Sequence, residues 1–566
     1  MGKYAIGLDF GTNSCRSLII DVANGRELAT HVFPYPSGTD GVIVDSSDPN
    51  LARQNPADYL LGIEESIKQA LLKAKRAESK FSPDDVIGIG VDTTGSSPMP
   101  VDAHGEALCF DKKFKNDPSA MVWLWKDHTS FAEAAQVTET AAKLRPQYLA
   151  KIGGTYSSEW YWSKILHLKN TSPQTFEASD SFVEICDWIP AVLSGVKHPQ
   201  KIKRSICAAG HKAMFNAQWG GLPDEEFLNA LSPGLGKLRN KLYSQAYSAD
   251  EKIGNLSPEW AKKLGLPETV AIAVGAFDAH MGAVGAGIQP GTLVKILGTS
   301  TCDVMIQPSS SPLADIPGVC GIVNGSVMNG FYGIEAGQSA VGDIFLWFIN
   351  NLVPEKYGTT TDEKFRTLEK AVAELKPGES GLIALDWNNG NRTILVDVRL
   401  SGLLIGQTLH TQPHEIYRAL VEATAFGALR IIDRIEEYGV PVKEVVNCGG
   451  LASKNPLLMQ IYADVTGRPM KISRSEQTPA LGAAMFAAVA AGKASGGYAT
   501  IQETQKAMTG VEKTYSPSEK NHRTYSTLYK LYRQLHDGFG TKDWSGSMHG
   551  VMKELLTLRD SVRKEN

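Results

Sequence analysis

Three glycine-containing segments have the composition of phosphate-binding turns. The N-terminal glycine turn is Phe10-Gly-Thr-Asn-Ser14, the central glycine turn is Gly298-Thr-Ser300, and the third segment is the pair Gly449-Gly450. Glycine lets the backbone approach a ligand because it has no Cβ, and its N–H group can act with a neighbouring hydroxyl on an anion. One such segment alone is equally well explained as an ordinary β-turn. The recurrence of the pattern favours phosphate binding.

Three aspartates follow apolar runs that have the character of buried strands. Asp9 ends the first run, Asp92 ends the run 86–91, and Asp278 comes shortly after the run 270–274. Ligands of α/β sheets bind at the carboxyl ends of the strands, so these acids are candidates for metal binding or proton transfer. Their position also fits a turn-capping Asp9 and a helix-capping Asp278, and it does not separate these alternatives.

The apolar pattern predicts an α/β protein made of two lobes of related construction. Strand candidates flank the N-terminal glycine turn at residues 4–9 and 17–21, and others flank the central glycine turn at 293–297 and 302–306. This strand, turn, strand repeat indicates that one unit of structure occurs twice.

Helices alternate with strands in the second half of the sequence. Pro413 opens a helical pattern that ends near Gly439, and a strand candidate at 444–448 precedes the third glycine segment. Asn455 is placed to cap the next helix, which ends at Gly467. Such a strand, loop and helix unit is typical of an α/β sheet.

Composition and charge exclude several classes of protein. The 566 residues carry 57 Lys and Arg against 61 Asp and Glu, a net charge of −4, which argues against a nucleic-acid binder. The seven cysteines form no CxxC pair, so neither a disulfide framework nor a zinc site is expected. No secretory signal begins the sequence, and its longest uncharged apolar stretch, 479–492, is shorter than the roughly 20 residues that span a membrane. We therefore expect a cytoplasmic protein.

The glycine segments together resemble a known family. GxxxxGK[ST] is absent, and no GxGxxG follows a strand, so two common nucleotide motifs are excluded. Instead, Gly7-Leu-Asp9-Phe-Gly-Thr12-Asn-Ser-Cys-Arg16, Gly298-Thr299-Ser300, and Gly449-Gly450 with Asn455-Pro-Leu-Leu-Met-Gln460 resemble the nucleotide motifs of the FGGY carbohydrate kinases. The resemblance implies a two-lobed actin-like (ribonuclease H-like) ATPase fold with a central nucleotide and sugar cleft. It divides the chain into an N-terminal lobe, 1–288, and a C-terminal lobe, 289–566.

Three further motifs are similar to the branch of this family that phosphorylates L-ribulose. They begin at Gly90, Glu335 and Asp386 and read Gly-Val-Asp-Thr-Thr, Glu-Ala-Gly-Gln and Asp-Trp-Asn-Asn-Gly-Asn-Arg. The resemblance implies ATP-dependent formation of L-ribulose 5-phosphate in L-arabinose catabolism. A kinase for D-xylulose or D-ribulose is the alternative within enzymes, and a nucleotide-gated regulatory or binding protein is the alternative outside them.

The resemblance also implies roles for the nucleotide-binding residues. Asp278 would be the general base, and Asp9 would organise Mg²⁺ through water. Arg16 also fits a surface ion pair, and Asn455 fits a helix cap, because one extra residue separates it from Gly450 relative to the glycerol-kinase pattern. The residues expected to bind ATP are Gly11, Thr12, Asn13, Arg16, Gly298, Thr299, Ser300, Gly342, Gly449, Gly450 and Asn455.

The sugar site is expected at the boundary between the lobes. The resemblance points to Lys212 and Glu335, although each also fits a solvated surface residue. Asp92 and Gly95 would complete the site with Asp278, and the missing Cβ of Gly95 would admit the sugar closely. Trp160-Tyr-Trp162 is interpreted as core. The partners expected are ATP and a ketopentose, with no nucleic acid and no membrane, and a homodimer is left open.

Overall fold

The computed structural model describes residues 2–564 and contains two large mixed sheets. The strands of the first half of the chain are β1 (Tyr4–Phe10), β2 (Ser14–Asp21), β3 (Glu27–Pro34), β4 (Ile43–Asp45), β5 (Asp48–Gln54), β6 (Val86–Thr93), β7 (Pro98–Val101), β8 (Val122–Trp123), β9 (Ser181–Glu184), β10 (Lys252–Asn255), β11 (Ala271–Ala273) and β12 (Ala276–Phe277). Those of the second half are β13 (Thr292–Leu297), β14 (Thr301–Pro308), β15 (Gly321–Asn324), β16 (Phe331–Ala336), β17 (Ile383–Leu385), β18 (Leu403–Ile405), β19 (Glu444–Cys448), β20 (Met470–Ser473) and β21 (Val511–Tyr515).

The helices include short connecting helices and longer helices that cover the sheets. They are α1 (Pro56–Ala77), α2 (Phe131–Leu144), α3 (Pro146–Ala150), α4 (Tyr161–Thr171), α5 (Pro173–Ala178), α6 (Ile185–Ser194), α7 (Ile206–Lys212), α8 (Glu225–Leu231), α9 (Pro258–Leu264), α10 (Asp278–Gly285), α11 (Gly342–Leu352), α12 (Thr361–Ala373), α13 (Pro413–Glu437), α14 (Gly450–Lys454), α15 (Pro456–Thr466), α16 (Thr478–Ala491), α17 (Ile501–Met508), α18 (Glu519–Gly540) and α19 (Val551–Lys564).

The two sheets repeat one topology, as the strand, turn, strand pattern predicts. The first has the order β10-β11-β6-β1-β2-β3, with β12 also paired to β6, and the second has the order β15-β16-β14-β13-β19-β20-β21. In each, an antiparallel meander begins at the strand before a glycine turn, and that strand also pairs in parallel with a buried strand, β6 or β19. The carboxyl ends of the parallel strands therefore carry the predicted ligand-binding segments.

Two helices cross between the sheets and join the lobes. Helix α10 packs against β13 and β14 of the second sheet, and α16 packs against β1 and β6 of the first. A Cβ at Gly7 or Gly90 would overlap the backbone carbonyl of Ala480 or Ala483, so α16 lies directly on the sheet. The apolar core between the sheets consequently contains residues of both halves of the chain.

The predicted elements agree with the structure in kind and in most boundaries. The helix from Pro413 ends at Glu437, the helix capped by Asn455 covers Pro456–Thr466, and the strand before Gly449 covers Glu444–Cys448. All seven cysteines lie in the described residues and are free thiols. Across residues 2–564, the helices are too short or too polar to cross a bilayer.

Candidate active site

Three carboxylates meet at the carboxyl end of the first sheet. Asp9 and Asp92 are direct neighbours on the parallel strands β1 and β6, and Asp278 starts α10 directly after β12, which pairs with β6 beside Asp92. Within residues 2–564, neither carboxylate oxygen of Asp92 has a hydrogen-bond partner. The cluster gathers negative charge that a bound cation would neutralise, and carboxylate oxygens are ligands that Mg²⁺ prefers.

Burial and mutual repulsion shift the ionisation of this cluster. Burial raises the pKa of Asp9, and burial together with the charge of Asp9 raises the pKa of Asp92 well above its usual range. The same two causes raise the pKa of Asp278 to about 7. Asp278 occupies the first position of α10, after the N-cap residue Phe277, and its Oδ1 accepts a hydrogen bond of 2.6 Å from the N–H of Ala279. Asp278 is therefore not the N-cap residue of α10, as one interpretation of the sequence had it, but the residue directly after the N-cap.

The N-terminal glycine turn is held beside this cluster. Arg16 lies opposite Asp9 on β2, and its Nη1 is 3.3 Å from Asp9 Oδ2. The hydroxyl of Thr12 accepts a hydrogen bond of 3.0 Å from Nε1 of Trp125, and Asn13 donates to the carbonyl of Asp40 at 2.6 Å. Arg16 therefore forms an ion pair, but with an acid of the candidate site. The hydrogen bond from Trp125 to Thr12 was not predicted from the sequence.

The central glycine turn is contacted by two other predicted glycines. The N–H of Gly342 donates to the carbonyl of Gly298 at 3.1 Å, and a Cβ at Gly342 would lie 2.7 Å from that oxygen. Gly449 has a φ of +93°, and a Cβ there would overlap the carbonyl of Leu297. Helix α11 also begins at Gly342, so its N-terminal N–H groups lie next to Thr299. The structure thus brings three predicted glycine segments together at one edge of the second sheet.

Asn455 is a helix cap, as the alternative interpretation states. Its Oδ1 accepts from the N–H of Leu458 at 2.9 Å, and its Nδ2 donates to Glu369 at 2.7 Å. A contact with adenosine stays a prediction. Gly450 starts α14 with open space on its Cβ side, which leaves room for a ligand.

Lys212 and Glu335 form a buried ion pair between the lobes. Lys212 ends α7, Glu335 lies on β16, and Nζ is 2.9 Å from Oε1. Burial alone would raise the pKa of Glu335, but the ammonium of Lys212 holds it well below its usual range. The interpretation of these two residues as solvated surface positions is therefore wrong, and their contact with a sugar stays a prediction.

Two histidines that sequence reasoning missed adjoin this ion pair. His211 Nδ1 is 3.5 Å from Glu335 Oε2, and His280 Nε2 is 3.7 Å from the same oxygen. Burial lowers the pKa of both imidazoles, which are therefore neutral at physiological pH. In the sequence, the only signals for a role at the site were the position of His211 next to Lys212 and the position of His280 two residues after Asp278.

The surroundings of Gly95 and Trp160 refine the predicted sugar site. The Phe277 ring fills the space where a Cβ of Gly95 would lie, which corrects the expectation that this space admits a sugar. Trp162 is fully buried, as the core interpretation predicts. Trp160 also packs in that core, but its ring centre is 5.1 Å from Nζ of Lys212, so it also borders the ion pair.

The two halves of the chain match two domains of one family. Residues 4–285 match the N-terminal domain of the FGGY family of carbohydrate kinases, and residues 293–491 match its C-terminal domain.

The similarity to individual proteins extends over the whole chain. The chain is 42% identical to a ribulokinase of Shouchella clausii over 100% of this chain and 99% of that protein. It is 44% identical to a ribulokinase of Geobacillus thermodenitrificans, covering 99% of this chain and 98% of that protein. Among solved structures, xylulose kinase from Rhodospirillum rubrum aligns with a TM-score of 0.75 at 20% identity, over 95% of this chain and 99% of the other. This last match confirms the expected two-lobed fold.

Proposed function

The chain belongs to the FGGY family of carbohydrate kinases, and we propose that it phosphorylates L-ribulose with ATP to L-ribulose 5-phosphate, in L-arabinose catabolism. The observation that carries this proposal is its identity of 42% and 44% to ribulokinases over nearly the full length of both chains. The geometry supports phosphoryl transfer because three acids and the N-terminal glycine turn meet at the strand ends, and the charges of Lys212 and Glu335 act on Asp278.

Asp278 is the proposed general base. As a carboxylate it accepts the proton of the 5-hydroxyl while that oxygen forms a bond to the γ-phosphorus of ATP. The bond from this phosphorus to the bridging oxygen breaks, and ADP leaves. A pKa of about 7 suits a base that works near neutral pH, because the proton-accepting form is populated and still basic.

The glycine turns and Arg16 are proposed to hold the phosphates. Backbone N–H groups of Thr299 and Ser300 would contact one side of the phosphate tail, with Gly342 packed against the turn, and Thr12 with Arg16 would contact the other side. Asp9 would hold hydrated Mg²⁺ through water, and Asp92, which is expected to contact the sugar, lies beside it on β6. Bound with ATP, Mg²⁺ neutralises phosphate charge.

Lys212 and Glu335 are proposed to bind the sugar between the lobes. Lys212 comes from α7 in the first half of the chain and Glu335 from β16 in the second half, so a ligand next to this pair would contact both halves of the molecule at once. Lobes that close on the sugar would keep water away from ATP. The division into lobes at residue 288 and a cytoplasmic location remain parts of this proposal.

A coupled assay of ADP release tests the function. Purified protein is supplied with Mg-ATP and, separately, L-ribulose, D-ribulose, D-xylulose or no sugar. We expect the highest kcat/KM with L-ribulose and little turnover without sugar. Preference for D-xylulose would contradict the proposed substrate, and ATP turnover that ignores every sugar would favour a nucleotide-gated switch.

A further inference from the structure

Three buried polar atoms without a hydrogen-bond partner converge next to the Lys212–Glu335 pair. Within residues 2–564 they are Nδ1 of His211, Nε2 of His280 and Oε2 of Glu335. The two imidazole rings lie 4.6 Å apart, and they are 0% and 2% exposed. Buried polar groups in proteins are nearly always paired, so such a convergence indicates that something else occupies the space.

The hydrogen bonds of His211 show whether a ligand in this space must donate or accept a hydrogen bond. The hydroxyl oxygen of Ser326 lies 3.1 Å from the carbonyl of Val323, which can only accept, and 3.0 Å from Nε2 of His211; both hydrogen bonds form together when the hydroxyl donates to Val323 and accepts from Nε2–H. Burial and the neighbouring His280 keep the pKa of His211 well below its usual value, so the ring carries one proton, on Nε2. Nδ1 is therefore an acceptor.

This acceptor faces another acceptor. Nδ1 of His211 points at Oε2 of Glu335 from 3.5 Å, while Oε1 of the same carboxylate already accepts from Lys212. Two lone pairs at this distance repel each other unless a hydrogen-bond donor lies next to both. A hydroxyl group meets this need because it donates one proton and can accept another from a ring N–H of His280.

We infer that His211, His280 and Oε2 of Glu335 bind a non-reacting hydroxyl of the ketose and thereby determine sugar specificity. This inference rests on the proposed function. The position fits, because the charges of Glu335 and Lys212 act on Asp278, which shows that the ion pair lies near the proposed base. Gly321 also fits, because a Cβ there would collide with the ring of His211 and move its Nδ1.

A hydroxyl fits this space better than a metal ion does. The ligand atoms of His211, His280 and Glu335 lie within 4.8 Å of one another, which is close enough for one cation. However, the ammonium of Lys212 is 2.9 Å from the same carboxylate and already balances its charge. A divalent cation would be repelled by this ammonium, whereas a neutral hydroxyl would not.

Paired substitutions of His211 separate sugar binding from a structural role. His211→Gln places an amide N–H near Ser326 but removes the acceptor at Nδ1, and His211→Asn places an amide oxygen near Nδ1. We expect His211→Gln to lower kcat/KM for ribulose about 10-fold to 100-fold, with KM for ATP and the thermal midpoint unchanged, and His211→Asn to lose less. Unchanged kcat/KM in folded His211→Gln would overturn the inference.

Deoxy analogues make the test independent of how well any variant folds. Ribulose analogues that each lack one non-reacting hydroxyl are assayed with the unmodified protein and with His280→Asn and His280→Gln. One analogue should be a poor substrate for the unmodified protein and should show no further loss in His280→Asn. Equal additional losses with every analogue, or full activity of the unmodified protein with all of them, would refute the assigned contact.

Two controls keep the inference distinct from its premise and from a metal site. No turnover of ribulose by the unmodified protein would defeat the proposed function, whereas turnover that is insensitive to both histidines would defeat only the inference. Elemental analysis of the purified protein is expected to find no stoichiometric zinc or manganese. A metal that is retained by the unmodified protein and lost in His280→Asn would contradict hydroxyl binding.

Discussion

Single acidic residues at strand ends are the proposed reactive groups, and the sequence could indicate their position. Asp9, Asp92 and Asp278 were predictable because an acid after an apolar run lies at the binding edge of an α/β sheet. His211 and His280 were not, because their importance depends on β16 bringing Glu335 to them from another part of the chain. Gly95 was predicted to admit the sugar, but the structure gives another reason for a glycine there. The ring of Phe277 occupies the space that a Cβ would need.

The ionisation of Asp278 predicts a pH dependence. Its pKa is raised to about 7 by burial and by Asp9, and only the deprotonated form can accept a proton. We expect kcat/KM for ribulose to be constant above this pH and to fall about tenfold per unit below it. A pH profile between about 5 and 9 checks this, with unfolding followed in parallel. A profile that stays flat to about pH 5 would show that Asp278 is not the base.

At the scale of elements, local patterns could predict strands and helices but not which sheet each helix covers. The strand, glycine turn, strand repeat is a local signal, and both copies were found. That α16 lies on the first sheet was not predictable, because it depends on small residues of β1, β6 and α16 that match only in three dimensions. Gly7 and Gly90, which lie within the predicted strands 4–9 and 86–91, are positions where α16 packs on the sheet.

Helix α16 should be sensitive to any Cβ on the strand surface beneath it. Gly90→Ala puts a methyl group into the carbonyl of Ala483 and should reduce the free energy of unfolding by about 1–3 kcal/mol. Urea unfolding measures the change. Gly254→Ala is the matched control, because its Cβ would make an ordinary contact of 3.5 Å with Ser194, and we expect a change within about 0.5 kcal/mol. Equal effects of the two substitutions would contradict this packing.

At the scale of the whole molecule, the two halves meet through paired charges around the cleft. Lys151 is 2.5 Å from Asp315, and Arg392 is 3.9 Å from Glu159, in addition to the buried pair of Lys212 and Glu335. The near-neutral net charge of −4 is compatible with an anionic substrate, because the proposed site relies on backbone donors and a few placed cations. Such contacts between distant segments are invisible in a single sequence.

The half-buried interlobe pair of Lys151 and Asp315 should assist closure on the sugar. Lys151→Met removes this ion pair but keeps the backbone hydrogen bond from Ile322 to Lys151. Because ion pairs that solvent still reaches contribute about 0–1 kcal/mol, KM for ribulose should rise by up to about fivefold at low salt and less at high salt. Steady-state kinetics at two ionic strengths checks this. Lys493→Met, which removes the pair with Glu503 away from the cleft, is the control, and equal KM values for both variants would argue against a closure role.

The most direct test of the whole account is the activity of Asp278→Asn with ATP and ribulose. Loss of a general base should lower kcat by about 10²-fold to 10⁴-fold while the affinity for ATP, measured by calorimetry, stays nearly unchanged. Asp362→Asn, which replaces an exposed acid in the first turn of α12, should keep full activity. Undiminished turnover in Asp278→Asn would contradict phosphoryl transfer at this cleft with Asp278 as base.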